Sequence, residues 1–195
     1  MPAATGNAPR TRPAPLRADA ARNRAQVLEA ARHELTVGNL ALPMNLIARA
    51  AGVGVGTVYR HFPTRQSLLE ALAQDSLQRI VRETEAAATD PDPAAGLQRT
   101  LRCALRCQLD DLALAEILAT PTFECIDTLE LGEHLVRAVS DLLARARDAG
   151  VLREDVTPDD FRRLMSGIHH ALRAGPDPEA RVEPYLRVLL NGLRP

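Results

Sequence analysis

Apolar residues recur along this chain every three to four positions, and proline or glycine breaks the pattern at intervals. Val27, Leu28, Ala31 and Leu35 share one face of a first helix that opens near Asp19 and ends at Gly38-Asn39. A short second helix, Pro43 to Ala51, turns Leu46, Ile47 and Ala50 inward and closes at Gly52. A third runs from about Gly54 to His61 and is stopped by Pro63. The fourth is long, from about Thr64 to Ala88, with a stripe of Leu68, Leu69, Leu72, Leu77, Ile80 and Val81. Beyond Pro91 and Pro93, a fifth helix carries Leu97, Leu101, Ala104, Leu105 and Gln108, and a sixth spans about Asp111 to Ala119. A seventh runs from about Thr128 to Ala149 and stops at Gly150. Thr157-Pro158-Asp159-Asp160 opens an eighth by its chemistry: a capping hydroxyl, a first-turn proline, then two acids at the positive helix end. The ninth spans about Glu179 to Leu193. No strand pattern or internal repeat is present, so the expected class is all-α with about nine helices.

Composition sharpens this picture. Hydrophobic residues make up 46% but aromatics only 3%, so the core is built from Leu, Ala, Val and Ile. Residues 1–17 are rich in Pro and Ala without periodicity and read as a disordered arm. No run reaches the roughly 18 apolar residues that span a bilayer, and no apolar signal-peptide core is present. A cytoplasmic protein with no membrane partner is expected. Three cysteines, with no CxxC, argue against a disulfide framework or a structural zinc site. No cofactor and no metal are expected.

The net charge of −1 hides an asymmetry. Up to Arg65, nine arginines face Asp19, Glu29 and Glu34; beyond it, fifteen arginines face twenty-two acids. A basic front suits a polyanion. Within that front stands GVGVGTVYRHF, Gly52 to Phe62. Three glycines in five places are poor material for a helix interior. Gly52 lets the chain reverse between the second and third helices, and Gly54 and Gly56 strip bulk from the start of the third. A helix presented end-first to a DNA groove needs that close approach, and its N–H groups attract phosphate. Three short helices with this turn match a helix-turn-helix unit.

Ile47-Ala48-x-x-Ala51-Gly52-Val53-x-x-Gly56-Thr57-x-Tyr59-x-His61-Phe62, with Arg65 and Leu68-Leu69 after it, resembles the helix-turn-helix signature of TetR-type transcriptional repressors. Arg24 and Val27-Leu28-x-Ala30-Ala31 resemble that family's first helix. The resemblance implies a helix-turn-helix DNA-binding domain over 18–64 and an effector-binding and dimerisation domain over 65–195. Implied partners are double-stranded DNA with a near-palindromic operator, a small-molecule effector and a second copy of the chain. Met44 and Asn45 are implied near the DNA backbone or bases, and Val55, Gly56 and Thr57 in the groove. Tyr59, His61 and Arg65 are implied on phosphates. Arg60 is the candidate for direct readout, because a guanidinium can bind guanine through two bonds.

The resemblance further implies an effector pocket within the fourth to seventh helices and a four-helix dimer bundle from the last two. Candidate polar groups in the pocket are Cys103, Cys107, Gln108, Thr120, Cys125, His134 and His169. Few aromatics favour an aliphatic or small polar effector. Phe161, Leu164, Met165, Ile168 and Leu172 form one apolar seam, and Val182, Tyr185, Leu186, Leu189 and Leu193 another; both are expected at the dimer interface. No local motif joins a nucleophile to a base and an acid, so an enzyme is not expected. An effector-independent regulator or architectural DNA-binding protein stays as the alternative.

Overall fold

The computed structural model describes residues 14–119 and 122–195, and side chains from residue 18 onward. Among the described residues there are nine helices and no strand: α1 (Ala14–Thr36), α2 (Met44–Ala50), α3 (Val55–His61), α4 (Arg65–Ala88), α5 (Pro93–Asp110), α6 (Leu112–Ala119), α7 (Ile126–Asp148), α8 (Pro158–Ala174) and α9 (Pro178–Leu193). They form two compact units that divide between Pro63 and Thr64. The arm expected over residues 1–17 lies outside the described residues up to residue 13. Ala14–Arg17 already belong to α1.

In the first unit α1 buries Val27, Leu28, Ala31 and Leu35. α2 is two turns long, so its inward face is the i, i+3, i+4 set Met44, Ile47 and Ala48. Ala50, expected inside, is exposed and Leu46 is half-buried. The turn after α2 depends on Gly52, whose φ of +67° is left-handed. Its N–H donates to the Arg49 carbonyl at 3.2 Å while Val53 N–H reaches the Ala48 carbonyl at 3.0 Å, the paired closure that favours glycine here. α3 then buries only Val58, and Phe62 follows at 2% exposure. The Arg24 guanidinium stands 5.3 Å from the centre of the Phe62 ring, a cation–π contact that joins α1 to the end of α3.

In the second unit α4 packs against α5, α6 and α7. Reciprocal caps open two helices. The Ser67 and Asp160 amides donate to the Thr64 and Thr157 hydroxyls at 3.0 and 3.1 Å. The Thr64 and Thr157 amides donate back to the Ser67 hydroxyl at 3.1 Å and the Asp160 carboxylate at 3.0 Å. Two Asp-Pro steps open two more: Asp92 accepts from Ala94 N–H at 2.9 Å before α5, and Asp177 from Ala180 N–H at 3.3 Å before α9. The Arg102 guanidinium grips Glu183 with two bonds, 2.6 and 3.0 Å, tying α5 to α9. No described helix is long and apolar enough to cross a membrane.

The last two helices correct the expected interface. Phe161, Met165 and Leu172 of α8 and Val182, Leu186, Leu189 and Leu193 of α9 are buried within the single chain. Both helices pack on α5, and that packing takes the apolar seams. Of the residues expected at the interface, Leu164 and Tyr185 remain exposed and Ile168 is half-buried. Val188, at 71% exposure, joins them as the most exposed apolar side chain of the pair.

Candidate functional site

The first unit presents a row of side chains along α3 and the start of α2. Val55, Tyr59 and Arg60 are exposed on α3, Thr57 and His61 are half-buried, and Asn45 is exposed on α2. A helix of seven residues exposes these positions on about two of its faces, because only Val58 is needed for the core. Gly54 is the N-cap of α3 with no side-chain bond, which leaves the first N–H groups open. Gly56 is the informative residue. Its backbone is ordinary right-handed helix, and a Cβ added there meets no atom within 4 Å. Nothing inside the fold asks for glycine at this position.

Two residues depart from the expected contact set. Met44 is buried, so its side chain is spent on the core and only its first-turn amide stays available. Arg65 belongs to the second unit, where its Nη2 donates to Glu116 Oε2 at 3.0 Å; any phosphate contact competes with that ion pair.

The second unit contains a partly open cavity of about 480 Å³. α4 contributes Ile80 and Thr84, α5 Thr100, Ala104 and Gln108, α6 Ile117 and Leu118, and α7 Gly132, Leu135, Val136 and Val139. Phe123 and, from α8, Phe161, Met165 and Ser166 complete the wall. The lining is almost wholly apolar. The Thr84 hydroxyl is occupied by the Ile80 carbonyl at 2.8 Å, and the Gln108 amide donates to the Ala104 carbonyl at 3.2 Å. The Thr100 hydroxyl is buried without a partner. At one end Arg162 is neutralised by Asp159 at 2.7 Å. The cavity thus offers apolar surface, a few neutral hydrogen-bonding groups and no uncompensated charge.

Of the polar groups expected to line it, only Gln108 does so, and Thr120 lies outside the described residues. Cys103 and Cys107 sit beside Arg79 on the edge of α5 that meets α4, around the helix from Ala104 and Gln108. His134 is exposed on α7, 3.5 Å from Glu85. His169 is half-buried on α8, and burial is the main cause that lowers its pKa. Cys125 is the N-cap position of α7, where burial first, and Glu70 beside it, push its thiol up to about 11. Thr84, Thr100, Phe123, Asp159, Arg162 and Ser166 were the missed lining residues. Thr84 and Thr100 left a trace in the sequence, as polar interruptions of apolar stripes.

Beside this cavity, Glu70 of α4 is fully buried and caps a helix other than its own. Its carboxylate accepts from the Glu124 and Cys125 amides, each at 2.8 Å, from the Thr128 hydroxyl at 2.5 Å and from the Gln66 amide at 3.0 Å. The first turn of α7 is thereby held by α4, with a carboxylate at its positive end.

Comparison with known proteins decides the assignment. Residues 92–195 match the family model described as the C-terminal domain of SbtR-like transcriptional regulators, and residues 27–72 match that of the tetR family of bacterial regulatory proteins. The chain belongs to the TetR family of bacterial transcriptional regulators. A TetR transcription regulatory protein from Mycobacterium vanbaalenii is 36% identical, over 93% of this chain and 100% of its own, with a TM-score of 0.46. The HTH-type transcriptional repressor Rv1474c of Mycobacterium tuberculosis is 27% identical over 183 residues, 89% of this chain and 94% of its own. SmeT, the repressor of the Stenotrophomonas maltophilia multidrug efflux pump SmeDEF, shares the fold in its triclosan complex, with 21% identity and a TM-score of 0.57 over 89% of this chain and 92% of its own. In this TetR-family regulator the helix-turn-helix match falls on α1 to α4, and the second match covers α5 to α9.

Proposed function

We propose that this TetR-family regulator is a homodimeric repressor that binds a near-palindromic operator and leaves it when a small, largely aliphatic ligand fills the cavity of the second unit. Asn45, Val55, Gly56, Thr57, Tyr59, Arg60 and His61 carry the DNA contact, with the amide of Met44 and, in competition with Glu116, Arg65. Gly56 is the observation that carries the reading. In the open first turn of α3, a glycine whose Cβ would meet nothing in the protein leaves the backbone bare to a close approach from outside, and a base edge or phosphate at a helix start makes such an approach.

Selection of bound duplexes from a random library tests the proposal. The expected product is a near-palindrome whose half-sites lie about 34–36 Å apart, one helical turn. Gly56→Ala should raise stability by up to about 1 kcal/mol, since alanine is the better helix former, yet weaken operator binding tenfold or more. Arg60→Ala in the same assay should relax preference at one base pair per half-site, by about 1–3 kcal/mol. Tyr59→Phe should weaken all sequences alike by about 1 kcal/mol. Recovery of no consensus sequence would favour the architectural alternative.

The cavity supports an effector over a filled, ligand-independent core. Only Phe123 and Phe161 bring aromatic rings to it, and the compensated Arg162–Asp159 pair offers no counter-charge. A neutral apolar fluorophore such as N-phenyl-1-naphthylamine should therefore bind and brighten. Ala104→Phe, which adds a ring to the cavity wall, should lower that affinity at least tenfold and leave operator binding intact. If it binds the fluorophore as the parent does, the ligand site lies elsewhere. By linkage, a ligand that weakens operator binding must itself bind less tightly to the DNA complex by the same factor.

A further inference from the structure

Cys103 and Cys107 take no part in the cavity or the DNA-binding face. They lie one turn apart on α5 with their Sγ atoms 3.7 Å apart, and Arg79 of α4 donates from Nε to the Cys107 Sγ at 3.1 Å. Cys107 is buried and Cys103 is half-exposed, so the pair meets solvent through Cys103. Helix geometry decides what such a pair can do. Residues four apart hold their Cβ atoms about 5–6 Å apart, whereas a disulfide needs about 3.5–4.5 Å. A direct S–S bond would have to deform the helix. One bridging atom would not: two metal–thiolate bonds of about 2.3 Å set in line span about 4.6 Å between the sulfurs, and small side-chain rotations open the present gap that far.

Donor number narrows the ion. Among the described residues no three His, Cys, Asp or Glu side chains gather where a metal could lie. Zinc and other ions that want three or four protein ligands are poorly served. A soft monovalent cation is satisfied by two thiolates.

We propose that Cys103 and Cys107 form a two-coordinate site for a monovalent thiophilic cation, Cu(I) or Ag(I), with Arg79 as its counter-ion. Binding forms two metal–sulfur bonds, and each thiol releases its proton to water. One positive metal and two thiolates leave a unit of charge −1, which the Arg79 guanidinium faces from 3.1 Å through its Nε. Asp110, 3.8 Å from Arg79 Nη2, shares that guanidinium, so the cluster keeps one negative charge, which its exposed edge leaves to solvent. The ion reaches Cys107 by exchange from the half-exposed Cys103.

The test uses the reduced full chain under anaerobic conditions, with Cu(I) supplied as its bicinchoninate complex. The chain should withdraw one equivalent of Cu(I) from the chelator, and X-ray absorption should show two sulfur neighbours and no nitrogen or oxygen. Cys103→Ser and Cys107→Ser should each lower the affinity at least a hundredfold, Arg79→Gln about tenfold, and Cys125→Ser not at all. Circular dichroism checks folding. If Cys107→Ser unfolds, the half-exposed Cys103→Ser and Arg79→Gln still carry the test. Full Cu(I) retention by Cys103→Ser, loss in Cys125→Ser, or a nitrogen or oxygen neighbour in the absorption spectrum would overturn the site.

Discussion

Glu70→Ala should destabilise the second unit by about 3–5 kcal/mol, because hydrogen bonds to a charged acceptor contribute about 1.5–3 kcal/mol each and their donors are left unpaired. The carboxylate is fully buried and takes two amides, one hydroxyl and one side-chain amide. α7 has no side-chain cap of its own, and the substitution frees at once the amides of Glu124 and Cys125, just before the helix, and the Thr128 hydroxyl of its first turn. Glu70→Gln keeps the shape but not the charge and should lose about half as much. Chemical denaturation measures both. The same residue makes a prediction about acid. Burial pushes its carboxyl up, but the bonds from Thr128, Glu124, Cys125 and Gln66 outweigh burial and hold it below the ordinary value of 4.5. A carboxyl whose folded pKa is depressed stabilises fully above its unfolded value, and that contribution fades as pH falls through the folded one. Stability should therefore drop as pH goes below about 4.5, and Glu70→Ala should flatten that drop. An unchanged acid slope would mean that other carboxylates dominate it.

Val188→Arg should convert the protein to a folded monomer and lower operator affinity a hundredfold or more, since two linked half-site contacts gain about 10²–10⁴ over one. Leu164, Tyr185 and Val188 are the large apolar side chains that α8 and α9 leave exposed, at 41%, 36% and 71%. Leu164→Arg should act in the same direction. Leu186→Arg should not: Leu186 is 1% exposed, and an unpaired charge there unfolds the second unit. Sedimentation separates the outcomes. If Val188→Arg and Leu164→Arg both remained dimers with full operator affinity, the outward face of the last two helices would not be the interface.

The helices were largely legible because local chemistry sets their ends. Thr157-Pro158-Asp159-Asp160 opens α8 as read, and Gly52 and Gly150 close α2 and α7 through a left-handed residue. Pro93 was read as a break but stands in the first turn of a helix after a capping aspartate, and the ninth helix, expected from Glu179, likewise starts at a proline, Pro178, after Asp177. What the sequence hid is whatever lies far apart along the chain. α7 begins at Ile126, two residues before the expected Thr128, and the residues that lead into it are held by Glu70, more than fifty positions earlier. A glutamate among Leu68, Leu69, Leu72 and Ala73 was the one visible sign of it, since an unpartnered charge is rarely buried. The seams of α8 and α9 were visible as apolar, but periodicity does not say whether a greasy face meets its own chain or another. The cysteines were visible too, and their side of α5 was not.

Gly132 admits the Phe123 ring: a Cβ there would come within 2.3 Å of it. That ring lines both the cavity and a surface groove with Leu129, Glu133 and Arg137. Under the proposed function, a ring that borders both spaces would let the hold on a ligand and its exchange be set separately. Affinity would come from the aliphatic lining, whereas rotation of the Phe123 side chain is far faster than the parting of helices. Replacing Phe123 by a smaller residue should then shorten a ligand's residence time more than it weakens binding, so that response time and threshold concentration would be open to change by different mutations.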